Sequence, residues 1–161
     1  MKKGFTMIEL IFVIVILGIL ASVAIPRLAG TRDDAEISAA IGNLRTLVSD
    51  ANVYYVTKGS FGTAKWNEFT SVPLDGATDA AATTGTTATA NLKVGGENCI
   101  GLYLKEKDGD VPAHIVFTQP GTGTTCTKVK EAASVKAYLD STLPGDTAAG
   151  KMPIGSTTKI Y

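Results

Sequence analysis

The run from Phe5 to Ile25 constrains this chain more than any other part of it. It is apolar almost throughout and, at about 20 residues, long enough as a helix to cross the hydrocarbon core of a bilayer. Its only charge is Glu9, and Lys2 and Lys3 stand directly before it. That bias keeps the first residues in the cytoplasm and sends the rest of the chain outward. A carboxylate inside a membrane helix costs about 2.5–3.5 kcal/mol on insertion scales, so Glu9 is expected to have a partner. The next cation along the chain is Arg27, at the far end of the run. A cut between Gly4 and Phe5 would create an α-amino group four residues before Glu9. That amine, on this chain or on a neighbouring one, would neutralise the carboxylate in low dielectric.

Lys2-Lys3-Gly4-Phe5-Thr6-Met7-Ile8-Glu9-Leu10, continued by the apolar run to Pro26, resembles the N-terminus of type IV pilins and of the pseudopilins of type II secretion. The resemblance covers Lys2 to about Leu28. It implies removal of a leader, residues 1–4, by a membrane prepilin peptidase, and N-methylation of the new terminal Phe5. It also implies that Glu9 neutralises the N-terminal amine of a neighbouring subunit during filament assembly. Two plainer readings compete. A secretory signal peptide cut after Ser22-Val23-Ala24 accounts for the basic start, but the apolar run is longer than a usual signal core and carries an acid near its start. A simple uncleaved anchor leaves Glu9 without a role.

Setting the membrane stretch aside, 161 residues suit one domain. Roughly 100 residues then remain for a small, marginal core. A net charge of +0 argues against a nucleic-acid surface spread over the whole protein. Cys99 and Cys126 suit a single disulfide in the oxidising compartment that the outward orientation supplies. Two Cys and one His build no zinc site.

Gly18 and Pro26 both weaken helix. Two readings of that stretch stay open: a mild kink in a continuous helix, or a segment that melts when subunits pack, as similar segments in pilins do. From Arg27, apolar residues at Ile37, Ala40, Ile41, Leu44, Leu47, Val48 and Ala51 follow the three-and-four spacing of one buried helix face. Residues 27–58 therefore form the amphipathic half of a long helix that begins with the apolar segment 5–26, and Gly59 ends it. Asp33, Asp34 and Glu36 read as a solvated start of that half.

The remaining residues, 59–161, form a globular head. Phe61, Trp66, Phe69, Val72 and Leu74 anchor a long connection, with a short turn of helix at Trp66–Phe69. Residues 75–91 form a variable loop whose Ala, Thr and Gly content suits an exposed connection. Its threonines are possible carriers of O-linked glycan by composition alone. A strand is expected at Leu92–Val94, and a β-hairpin at about 99–118, turning at Lys107–Asp110. That turn has too few ligands for a calcium site. One helix is expected over Val129–Leu139, capped by Thr125 or Thr127, then a turn at Leu143–Asp146 and a last edge strand at Thr157–Tyr161. The fold class is α+β: a long N-terminal membrane-spanning α-helix packed on a small antiparallel β-sheet, as in pilins. The disulfide of pilins often ends nearer the C-terminus than Cys126 does, which sets this chain apart from the usual disulfide-bounded adhesive loop.

No catalytic constellation appears. His114 is the sole histidine and lies on an expected strand, and no phosphate loop, nucleophile elbow or metal spacing is present. No cofactor or metal is expected. The resemblance implies a non-enzymatic subunit of a helical homo-oligomer. Its partners would be minor pilins, the prepilin peptidase and inner-membrane assembly machinery, with no nucleic acid evident. It would be single-pass in the inner membrane before assembly and then part of an extracellular pilus or a periplasmic pseudopilus. The disulfide and the Thr-rich loop lean toward a major pilin. A pseudopilin of type II secretion, a monomeric membrane-anchored binding module, and a secreted enzyme behind a signal peptide are the alternatives.

Overall fold

A computed structural model describes residues 4–62, 64–77 and 90–155, giving the backbone but not the side chains of 25–29 and 31. Residues Met1–Ala35 and Glu36–Tyr161 are two compact units. Helix α1, Met7–Lys58, runs through the boundary between them. It continues past Gly18 and Pro26 without a break, although Pro26 offers no N–H to the carbonyl of Ser22. In the first unit, Met7–Ala24 has a mean hydropathy of 2.8 and none of it is buried. A helix that is apolar all round and uncovered by its own chain needs lipid or other protein around it.

The second unit is a small α+β head. Its sheet is antiparallel, in the order β1-β2-β3-β4. The strands are β1 (Ala90–Val94), β2 (Glu97–Lys105), β3 (His114–Thr118) and β4 (Lys151–Pro153). Four consecutive buried residues in β2, Cys99–Leu102, mean that this sheet is covered on both faces. From α1, Ala40, Leu44, Leu47, Val48 and Ala51 enter one core cluster with Leu92, Ile100, Leu102, Leu104, Ile115 and Phe117 of the sheet. This is the apolar face expected from the spacing. Gly59 follows α1 with φ 79°, and its N–H reaches the Tyr55 carbonyl, a left-handed C-terminal stop that glycine adopts without strain. Helix α2, Trp66–Phe69, is the expected short turn.

The hairpin stands where it is expected, with β2 and β3 paired from Gly101↔Thr118 to Lys105↔His114. Three expectations need correction. The late helix is two helices, α3 (Thr124–Glu131) and α4 (Ala133–Leu139), parted at Ala132, whose ψ of 126° is not helical. In one straight helix at about 100° per residue, Val135 and Leu139 would lie about 180° and 140° from Cys126, and about 120° and 80° from Val129. All four are buried, so the chain must turn between the pairs. Neither Thr125 nor Thr127 caps α3: Gly123 is the N-cap, and the Thr127 hydroxyl donates to the Gly123 carbonyl. The observed last strand is β4, paired with β3 from His114↔Pro153 to Val116↔Lys151, in the stretch between the turn at Leu143–Asp146 and Thr157, where no strand is expected. The strand expected at Thr157–Tyr161 and most of the 75–91 loop, residues 78–89, lie outside the described residues. The ends of that loop are joined, because Asp75 and Asn91 exchange both backbone hydrogen bonds and Lys93 pairs with Asp75 at 3.3 Å.

Candidate functional site: the N-terminal helix start

Gly4, Phe5 and Thr6 precede the first helical residue, Met7, in non-helical backbone. The bond expected to be cut therefore lies outside the helix, and Phe5 is 89% exposed. Thr6 is the N-cap of α1 and Glu9 closes a reciprocal box with it. The Thr6 N–H donates to the Glu9 carboxylate at 2.8 Å, and the Thr6 hydroxyl donates to the same oxygen at 2.6 Å. The Glu9 N–H lies 3.4 Å from the Thr6 hydroxyl oxygen, a long contact that completes the pattern. Orphan donors at a helix start are satisfied in this way. Glu9 thus has a partner in its own chain that needs no cation. The spacing Thr6-x-x-Glu9 before an apolar run is the sequence signal for it, and it is independent of any counter-charge.

Gly18 and Pro26, the residues read as sources of flexibility, lie within the continuous helix. A side chain at Gly18 would meet nothing within 4 Å, so no packing within the chain demands glycine there.

In the head, Cys99 of β2 and Cys126 of α3 are bonded across a sequence separation of 27, and both are fully buried. Gly121 passes against this bond so closely that a Cβ there would stand 2.6 Å from Cys126 Sγ. Among the described residues, three carboxylates hold loops distant from them in sequence by accepting backbone N–H groups. Glu36 of α1 takes Gly95, between β1 and β2, at 3.0 Å. Glu97 takes Thr122 at 2.8 Å and Gly123, the cap of α3. Glu106 takes Phe61 and Gly62, just after α1. Glu36 is accordingly half-buried and engaged, not simply solvated. His114 is buried, with Nδ1 at 2.8 Å from the Pro112 carbonyl. Burial pushes its pKa down, the Pro112 carbonyl opposes that, and the charges of Lys105 and Lys151 add to the downward shift. Among the described residues no three His, Cys, Asp or Glu side chains gather to hold a metal.

Residues 1–25 match the family model for the prokaryotic N-terminal methylation motif. The chain carries the prepilin-type N-terminus. It is 34% identical over 64 residues to type II secretion system core protein G of Dickeya chrysanthemi, covering 40% of this chain and 42% of that protein. It is 36% identical over 53 residues to core protein G of Pseudomonas aeruginosa, covering 33% and 37%. It is 41% identical over 68 residues to the type IV major pilin protein PilE1 of Neisseria gonorrhoeae, covering 42% and 38%. The chain thus spans about two-fifths of the length of these curated relatives. No solved structure matches it at the same stringency.

Proposed function

We propose that the chain is a structural subunit of a filament of the type IV pilus or type II pseudopilus kind, held in the inner membrane by Met7–Ala24 before assembly. The observation that carries this reading is an uncovered apolar helix whose start bears the methylation motif and a carboxylate at its third turn-forming position. In this reading residues 1–4 are a leader removed by a prepilin peptidase between Gly4 and Phe5, and Phe5 is N-methylated. Segment 5–26 enters the filament core. There the Glu9 carboxylate receives a neighbour's Phe5 amine, a stronger, charge-assisted donor than the Thr6 groups that hold it in the single chain. Gly18 and Pro26 are the positions at which α1 yields if packing requires it.

The relatives favour a second, narrower reading within the same class. Several are named core protein G of type II secretion, which supports a periplasmic pseudopilus alongside the surface pilus. Mass spectrometry of the mature protein tests the common part: the first residue is expected to be N-methylated Phe5, and a start at Ile25 would sink the reading. Deleting the gene separates the two fibres. Loss of secreted enzymes from the medium marks a pseudopilus, and loss of surface fibres in electron micrographs marks a pilus.

A further inference from the structure

A groove of about 690 Å³ opens on the head between α1 and the segment that contains α2. Trp66, Phe69 and Val72 line it with apolar surface, and Asp50 of α1 and Glu68 of α2 add two carboxylates. Trp66 is buried, whereas Glu68 is exposed and Asp50 half-buried. Among the described residues neither carboxylate has an ion pair or hydrogen bond within the chain. An aromatic floor under two unpaired acids fits an alkyl-ammonium side chain, whose methylenes pack on rings while its charge meets the acids.

The chain has a net charge of +0, so the cations that balance these acids lie elsewhere on the same molecule. Lys93 is paired with Asp75, Lys151 with Asp146, and Lys130 donates to the Gly121 carbonyl. Lys107 is flanked by Asp108 and Asp110 in the hairpin turn. Arg45 and Lys58 lie on α1, the helix that supplies Asp50. Lys105 lies over the Tyr103 ring at 6.0 Å, and Arg32 and Lys65 each have an interaction of their own. Of the lysines and arginines whose side chains are described, Lys128 of α3 and Lys136 of α4 remain, both exposed, on elements that take no part in the groove.

We infer that the groove at Asp50 and Glu68 docks a second copy of this chain through Lys128 and Lys136 of that copy's α3–α4 segment. This inference rests on the filament reading, which supplies the neighbouring copy. A contact between two different patches of the same chain is heterologous, and repeated heterologous contacts build open helical polymers, whereas a self-complementary patch closes a dimer. Opposite charges across such a contact also fix register and suppress wrong pairings.

The test is charge reversal in the full-length chain in its own membrane. The double variants Asp50→Lys/Glu68→Lys and Lys128→Glu/Lys136→Glu are each expected to lower fibre yield about tenfold, as loss of a close charge pair does. Combining all four substitutions is expected to restore it. A chain carrying both Glu68→Cys and Lys136→Cys is expected to give an oxidation-dependent ladder of multimers that reducing agent collapses. Reversal variants that assemble like the native chain, in cells where Glu9→Leu abolishes fibres, would overturn the docking while leaving the filament reading intact. So would failure of the fourfold variant to recover while its melting temperature matches the native head, or cross-links made only to another protein. A native chain that forms no fibre, together with a Glu68→Cys/Lys136→Cys chain that gives no ladder, would overturn both.

Discussion

A single hydrogen atom in place of a methyl group decides the packing at Gly121. A Cβ built there would lie 2.6 Å from both the Asn98 carbonyl and Cys126 Sγ, and 3.0 Å from Cys99 Cα. Backbone and a bonded sulfur cannot step aside as a flexible side chain can. Gly121→Ala is therefore expected to destabilise the head by about 1–3 kcal/mol, the range for overpacking, read as a lower urea midpoint with an unchanged slope. His114 makes a second prediction at this scale. Its folded pKa lies below the ordinary 6.5, so in the window just below 6.5 the unfolded chain binds more protons than the folded one. Stability then rises with pH through that window, is fully present above 6.5, and erodes as pH falls beneath it. His114→Gln is expected to flatten the urea midpoint against pH between about pH 5 and 7; an unchanged slope would show that another group governs it. Residue identity foretold little of this. Nothing local to Gly121 marks the approach of β2 and α3, and His114 sits on the strand where it was expected with no hint of the two lysines its fold brings near. Thr6 and Glu9 are the contrary case, because their partnership spans one helical turn and is written in their spacing.

Among the elements, those with a local period were legible and those that exist through a distant partner were not. The three-and-four spacing from Ile37 to Ala51 marked the buried face of α1, and the strand read at Cys99 to Lys105 ahead of the turn is β2, although its burial does not alternate. The strand β4 has only three residues and depends on β3 for its pairing. No period can show in so short a run. The split between α3 and α4 was hidden for a related reason: neither Gly nor Pro marks Ala132, and the turn there serves to bury residues on opposite sides of what would be one helix. The loops are fastened by carboxylates from other elements, which again only the fold reveals. Glu106 ties the backbone just after α1 to the end of β2 through two N–H groups. Glu106→Ala leaves both donors without their acceptor, and about 1–3 kcal/mol of destabilisation is expected. The sign of a lost clamp, as opposed to a general loss, is faster amide hydrogen exchange at Phe61 and Gly62 while the β2–β3 amides stay protected.

At the scale of the whole molecule, the division at Ala35 and Glu36 separates the segment long and apolar enough to cross a membrane from what holds the head folded. Every core residue of the head lies beyond that boundary, as do both cysteines. Thr6 and Glu9 lie before it, in hydrogen bonds confined to one helical turn. Energetic terms with no shared partners add independently, so the two properties are expected to fail separately. Reducing the Cys99–Cys126 bond releases a constraint across a separation of 27 residues, worth about 2–4 kcal/mol. The reduced head is expected to melt lower while the chain still pellets with membranes after carbonate washing. Glu9→Leu is expected to do the reverse of a folding defect: the same melting curve, an intact disulfide, firm retention in the membrane, and no fibres. That pattern follows because leucine lowers the cost of the helix in lipid and removes, beside the local cap on Thr6, the acceptor proposed for a neighbour's amine. A Glu9→Leu chain whose head melted differently would mean that the two units are coupled. One that assembled normally would leave the carboxylate with no task beyond capping its own helix.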